Sequence, residues 1–104
     1  MARWWTTVRI IGPSMEPALR SGECWLVWRC GRCRPGDIVV LRHPMRDDLL
    51  IVKRVVRHDC DGYWVQGDNP RHTDDSRAFG SVPADRLVGR LGFRYQRARR
   101  PRAR

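Results

Sequence analysis

The apolar residues of this chain come in short runs, and Gly, Pro or Asp interrupts them about every ten residues. Short runs between turn residues are typical of β-strands rather than helices. They predict strands at 6–11, 24–29, 37–42, 49–57, 63–66 and 87–93. A chain of 104 residues has room for one domain with a modest core. We therefore expect a single, mainly β domain.

Turn residues connect these predicted strands. RPGD at 34–37 and HPMRDD at 43–48 carry Pro and Asp in turn positions, and DCDG at 59–62 has the composition of a hairpin connection. The one helical candidate is MEPALRSG at 15–22, a turn or two that ends at Gly22. Residues 67–81 lack periodicity, and a loop of that length often carries function.

The net charge of +10 is unevenly distributed. Residues 94–104 hold six Arg and no acid, which leaves +4 on residues 1–93. Such a segment cannot bury apolar surface, so we expect a domain at 1–93 and a basic, disordered tail at 94–104. The tail could alternatively contact nucleic acid, an acidic partner or anionic lipid. Because no known reader motif is present, we expect no specific nucleic-acid partner.

The hydropathy pattern contains no membrane anchor. No window approaches the roughly 20 apolar residues of a membrane span, and the first residues lack an apolar stretch followed by a cleavage site. We therefore expect a soluble, cytoplasmic protein. Trp4 and Trp5 could touch a membrane interface, although the edge of the core is the favoured place for them.

Four cysteines are present, and CGRC at 30–33 has the spacing of half a zinc site or of a redox pair. A complete zinc site would need a second close pair, but Cys24 and Cys60 stand apart from each other. The favoured interpretation is that Cys24, Cys30, Cys33 and Cys60 are free or packed in a reduced compartment. We expect neither a metal nor a cofactor.

Lys53 is the single lysine among 21 basic residues. An ammonium can lose its proton when it is desolvated, whereas a guanidinium keeps its charge. In the run LLIVKRVV at 49–56, strand alternation puts Lys53 on one face with Ile51 and Val55, which favours a neutral amine. The alternative is an ordinary exposed lysine on a half-buried strand.

Ser14 lies in GPSMEP at 12–17, where it is a nucleophile or a turn serine. A serine hydroxyl needs a base to become nucleophilic, and a Ser-Lys pair supplies one without histidine. The histidines all lie in turn-like segments with polar neighbours, and no Asp indicates a Ser-His-Asp order. A Ser-His-Asp site stays open, but a Ser-Lys dyad fits better.

Four segments together resemble, in order, the motif boxes of type I signal peptidases: GPSMEPALRSGE, GDIVVLRHP, IVKRVV and GDNPRHTDDSRAFGSV. The resemblance covers residues 11–91. LexA-type self-cleaving proteins share the Ser-Lys dyad, but the GDN and DSR elements are typical of the signal-peptidase branch. The resemblance implies a serine endopeptidase whose domain is built of coiled antiparallel sheets, with at most one or two short helical turns.

The resemblance also implies roles for single residues. Ser14 falls on the nucleophile, Lys53 on the general base, and Thr73 on a hydroxyl that hydrogen-bonds the lysine amine. The other matched positions support the site: Met15 beside the nucleophile, Gly36 and Asp37 at the start of a strand, Asp68 and Asn69 in the GDN turn, Asp75 and Arg77 in the DSR element. Alternatively, Asp75 and Arg77 form a structural ion pair and Thr73 is a turn hydroxyl.

One position departs from the family pattern. Gly12 stands where the family often has a Ser or Thr hydroxyl that helps to hold the oxyanion, so the Ser14 N–H and another main-chain donor or water would have to hold it.

The absence of an anchor, with GPSM, LRHP and GDNP, resembles the small nickel-type superoxide dismutase maturation proteases. That likeness implies a precursor protein as substrate, the nickel superoxide dismutase precursor with its propeptide. The alternatives are a membrane-surface protease and a non-catalytic basic binding module.

Overall fold

The computed structural model describes residues 4–29, 32–71 and 74–95. It contains six strands, a short helix α1 and a 3₁₀ turn: β1 Trp5–Arg9, β2 Cys24–Trp28, β3 Ile38–His43, β4 Arg46–Asp59, β5 Gly62–Gln66, α1 Ser76–Phe79, the 3₁₀ turn Ala84–Arg86, and β6 Leu87–Tyr95. All strands belong to one antiparallel sheet in the order β1-β2-β6-β3-β4-β5. The predicted mainly β fold is confirmed. Residues 96–104 lie outside the described residues, so the predicted tail stays a prediction.

The predicted helix at 15–22 is wrong, because this segment forms hydrogen-bonded turns. The Leu19 N–H donates to the Met15 carbonyl at 2.9 Å, but the bond pattern does not continue as a helix. The ring of Pro17 disfavours the helical conformation at the preceding Glu16. In the described part of the chain, the one α-helix is α1, within the loop that was predicted at 67–81.

Alternation along β3 and β4 separates two apolar clusters on opposite faces of the sheet. Val39, Leu41 and Val55 lie in the cluster that also holds buried residues of β5. Ile38 and Val52 point the other way and pack against the second cluster, which is centred on buried side chains of the turn segment after β1: Ile10, Met15 and Leu19. The second cluster therefore anchors the segment that carries Ser14 to the sheet.

The sheet also curls. Residues 7–11, in and after β1, line the same cleft as residues 49–53 of β4, although three strands separate β1 from β4 in the sheet order. Because β5 pairs only with residues 54–59 of β4, the stretch of β4 that borders the cleft has one edge unpaired with β5. The curl and the short β5 together open a cleft at this edge.

A two-residue bridge closes the loop that follows β5. Tyr63 and Val82 exchange both backbone hydrogen bonds at 2.8 Å, and both side chains are fully buried. The preceding Gly62 has a φ of 121°, and a Cβ atom there would overlap the Val82 carbonyl. Gly62 therefore permits the close approach that returns the chain to the sheet after residues 67–81.

We predict that Gly62→Ala lowers the free energy of unfolding by about 2 kcal/mol or more, because it combines backbone strain with overpacking against a carbonyl. The matched control is Gly36→Ala, which has a φ of 96° but open space around an added Cβ and should cost about 1 kcal/mol. Urea unfolding of both variants measures the difference. Equal losses would show that the approach to Val82 is not a constraint.

Candidate functional site

Ser14 lies in the turn segment that follows β1, and the GDN turn binds this segment directly. The Asn69 N–H donates to the Ser14 carbonyl at 2.8 Å, and the Asn69 amide Nδ2 donates to the Pro13 carbonyl at 3.0 Å. The Asp68 N–H points at the sulfur of Met15, 3.4 Å away, and Met15 is buried beneath the turn. The predicted neighbours Met15, Asp68 and Asn69 thus meet at Ser14.

Ser14 and Lys53 line one cleft of about 480 Å³. Its walls are largely apolar and come from the end of β1 and from β4: Val8, Ile10, Ile11, Leu49, Ile51 and Val52. Within the described ranges, neither the Ser14 hydroxyl nor its backbone N–H makes a hydrogen bond, so both are available to a molecule in the cleft. A hydroxyl and an amine at one apolar cleft are the components of a Ser-Lys nucleophile.

Lys53 is only 3% exposed, so the alternative of an exposed lysine is wrong. It pairs with Val39 in the sheet and shares its face with Ile51 and Val55. Burial lowers the pKa of the Lys53 amine, and the negative charges of Asp75 and Asp74 partly oppose this effect. No carboxylate of the described residues forms a salt bridge with it. The environment favours the neutral amine, which is the form that can accept a proton.

Asp75 organises the loop beside Lys53. Its buried carboxylate accepts the Gly67 N–H at 2.9 Å and caps α1 by accepting the Arg77 N–H at 3.0 Å. The Arg77 guanidinium binds both carboxylate oxygens, at 3.1 and 2.6 Å, and these bonds raise the pKa of Arg77. The Asp75–Arg77 ion pair, which the sequence left open as an alternative, is therefore present. Ser76 fixes α1 further because its Oγ accepts the Val65 N–H at 2.9 Å.

Arg54 joins three of the predicted motifs. Its guanidinium binds both oxygens of Asp68, at 2.9 and 2.8 Å, and donates to the Gly36 carbonyl at 2.9 Å. The hydrogen bonds to Asp68 raise the pKa of Arg54. These bonds hold the GDN turn and the turn at 34–37 against β4, next to Lys53, which directly precedes Arg54. Asp37 caps its own turn, its carboxylate accepting the Arg34 N–H at 2.9 Å.

Gly12, which lacks the hydroxyl of the family pattern, has the hydroxyl of Ser21 as a hydrogen-bond partner. The Gly12 N–H donates to the Ser21 Oγ at 3.1 Å. The φ of Gly12 is 88°, a left-handed backbone conformation that favours glycine. Two other predicted positions lie outside the described residues: Thr73 and Cys30. Cys33 is buried, and its N–H donates to the Tyr63 hydroxyl at 3.2 Å. Cys24 and Cys60 are free thiols.

Sequence reasoning missed His43, which it placed among polar turn residues. The side chain is buried at the end of β3, where its Nε2 lies 2.8 Å from the Asp74 Oδ2. Alternation along β3 was a usable signal, because it puts His43 on the buried face with Val39 and Leu41. The contact with Asp74, across 31 residues of sequence, had no signal.

We predict that Lys53→Met stabilises the fold at neutral pH. The lowered pKa means that the unfolded chain binds the lysine proton more tightly, so the wild type loses stability as pH falls from the unfolded lysine value of about 10.4 toward the folded one. The gain in the free energy of unfolding from Lys53→Met should therefore shrink as pH rises toward the unfolded lysine pKa. Urea unfolding between pH 7 and 10 measures it, and Arg46→Met at an exposed position is the control. A pH-independent difference would contradict a desolvated lysine.

No helix within residues 4–29, 32–71 and 74–95 has the length and apolar character that crossing a membrane requires. Comparisons with known proteins then place the chain. Residues 5–82 match the Peptidase S24-like family. The chain is 31% identical over 107 residues to the mitochondrial inner membrane protease subunit 1 of Xenopus tropicalis, an alignment that covers 80% of this chain and 64% of that protein.

The chain is also similar to inner membrane protease subunits of a plant and a fungus. The chain is 30% identical to the mitochondrial ATP-independent inner membrane protease subunit 1a of Arabidopsis thaliana, covering 86% of this chain and 69% of that protein. It is 29% identical to subunit 2 of Schizosaccharomyces pombe, covering 79% and 59%. The chain thus spans about 60 to 70% of the length of these relatives. It belongs to the Peptidase S24-like family, in agreement with its resemblance to type I signal peptidases.

Proposed function

We propose that this chain is a serine endopeptidase in which Ser14 attacks a peptide carbonyl and Lys53 is the general base. The observation that carries the proposal is that both side chains line one cleft and that the lysine is buried on an apolar strand face. Membership in a peptidase family supports it. The lowered pKa of Lys53 supports it as well, because a base must be deprotonated near the working pH.

The reaction follows from these positions. The neutral Lys53 amine takes the Ser14 proton as Oγ attacks the scissile carbonyl, and the Ser14 N–H stabilises the oxyanion. The Lys53 ammonium then donates its proton to the leaving amine, and an acyl-enzyme remains. A water activated by the same lysine hydrolyses the ester and restores Ser14.

The substrate is proposed to be an extended segment of a precursor protein. The stretch of β4 that is unpaired with β5 borders the cleft, and a peptide can add to such an edge through backbone hydrogen bonds. The resemblance to signal peptidases implies small side chains next to the cut. The likeness of the GPSM, LRHP and GDNP segments makes a nickel superoxide dismutase precursor, cut to remove its propeptide, the first candidate.

A second candidate function is proteolysis at a membrane surface. The relatives are named as inner membrane protease subunits, and Trp4 is 81% exposed beside the exposed Trp5 and Trp28. Exposed tryptophans and arginines are typical of proteins that lie on anionic membranes. Co-sedimentation with anionic vesicles separates this candidate from the cytoplasmic protease that the sequence predicts.

Salt-sensitive DNA retention without proteolysis would instead support the basic binding module.

We predict that Ser14→Ala lowers the cleavage rate by about 10⁴-fold or more, because it removes the attacking oxygen. The intact mass of a nickel superoxide dismutase precursor after incubation with the protein measures both the cut and its position. Ser81→Ala is the matched control, since Ser81 does not line the cleft. A precursor cut equally by Ser14→Ala excludes Ser14 as the nucleophile, and a precursor that no variant cuts redirects the assay to other precursors.

We predict that Lys53→Arg is inactive to a similar degree, although it keeps the charge, because a guanidinium does not deprotonate at working pH. Cleavage by the wild type should rise with pH through a lysine pKa below its usual value. The reverse exchange at an exposed site, Arg46→Lys, is the control and should leave the rate unchanged. Normal cleavage by Lys53→Arg would place the base elsewhere.

A further inference from the structure

His43 is a buried titratable residue that the proposed reaction does not use. Its Nδ1 accepts the Met45 N–H at 3.1 Å, which leaves the proton of the neutral ring on Nε2. Nε2 then donates to the Asp74 Oδ2 at 2.8 Å. The ring packs edge-on against Phe79 of α1, with 5.0 Å between ring centroids. Both ring nitrogens therefore have hydrogen-bond partners. These bonds and the contact with Phe79 fix the orientation of the ring.

Asp74 and Asp75 are adjacent carboxylates, and both act electrostatically on Lys53. Their charges are compensated differently. Asp75 has the larger effect on Lys53, although its carboxylate is paired with the Arg77 guanidinium. Asp74, whose side chain is 64% exposed, bonds His43 within the described residues, and a neutral imidazole cancels no charge. Asp74 thus adds to the effect of Asp75 on the lysine, and its side-chain partner is a histidine rather than an arginine.

A catalytic lysine has two conflicting requirements. Burial keeps it neutral before the reaction, but the same burial opposes the ammonium that forms when it takes the serine proton. A negative charge held near the amine stabilises the ammonium, provided that the charge stays in place. An exposed aspartate at a loop is mobile unless a partner holds it.

We propose that His43 is a positioning residue for the dyad, holding the Asp74 carboxylate where its charge stabilises the ammonium that Lys53 forms on accepting the Ser14 proton. This inference rests on the proposed function. No new bond is required, since the proton still travels from Ser14 to Lys53 and onward to the leaving amine. His43 and Asp74 touch neither the substrate nor the reacting atoms.

The other charged groups near His43 do not bond its ring, which leaves Asp74 as the carboxylate that does. Arg86 of the 3₁₀ turn donates to the His43 carbonyl at 2.8 Å, and its guanidinium is paired with Asp47 of β4 at 2.6 Å. From α1, the packed group is the uncharged Phe79.

The single lysine allows a direct test, because ¹³C-labelled lysine gives one side-chain NMR signal whose titration reports Lys53 alone. Asp74→Asn keeps an acceptor but removes the charge, so the Lys53 titration should move to lower pH. His43→Leu removes the donor and should move it in the same direction. His43→Gln keeps an Nε2 donor without a titrating ring and should restore the wild-type titration. An unmoved titration in Asp74→Asn overturns the proposal, even if His43→Leu fails to fold.

Cleavage assays separate this inference from the proposed function. In Asp74→Asn and His43→Leu we expect kcat to fall about tenfold with KM unchanged, and the acid limb of the pH profile to move to lower pH. His43→Gln should keep both kcat and the limb. Activity in Ser14→Ala or Lys53→Arg would refute the dyad itself. If those two variants are inactive but Asp74→Asn matches the wild type, the dyad stands and the role of His43 is refuted.

Discussion

The desolvation of Lys53 is the constraint on which the site depends. A lysine on an exposed strand would be protonated at neutral pH and could not act as a base. Here β3 and β4 place it among Val39, Ile51 and Val55, and burial outweighs the attraction of two carboxylates. Burial opposes protonation of the amine, so at neutral pH the fold loses the free energy that the unfolded chain gains by binding that proton. The site therefore lowers the stability of the fold.

The contacts that bring Ser14 to this lysine are also the contacts that close the fold. Asn69 binds the backbone of the Ser14 turn, and Arg54 ties Asp68 to β4. Asp75 holds the same loop at Gly67 and caps α1. Asn69 and Ser14 are distant in sequence, and so are Arg54 and Asp68, so the cleft forms only when these segments have come together. Rigid positioning of this kind is what the roles proposed for Ser14 and Lys53, nucleophile and base, require.

The strand pattern and the dyad candidates were accessible from sequence because they depend on local composition and on one unusual residue. Six apolar runs became six strands, and the single lysine lies on the buried face that alternation predicts. The helix expected at 15–22 failed at Pro17, whose ring disfavours the helical conformation at the preceding Glu16. The curl that brings β1 to β4 arises from strand twist over the entire sheet, and no segment of sequence encodes it alone.

The contrast between Asp74 and Asp75 shows how neighbours in sequence acquire different roles from tertiary contacts. Asp75 is buried, caps a helix and shares its charge with Arg77, so it maintains the loop. Asp74 remains largely exposed and has a histidine as its partner, and its charge acts on Lys53 in addition to the stronger effect of Asp75. A base that must be neutral before proton transfer and charged after it benefits from a negative charge weaker than a salt bridge. A direct ion pair with Lys53 would keep the amine protonated and prevent it from acting as the proposed base.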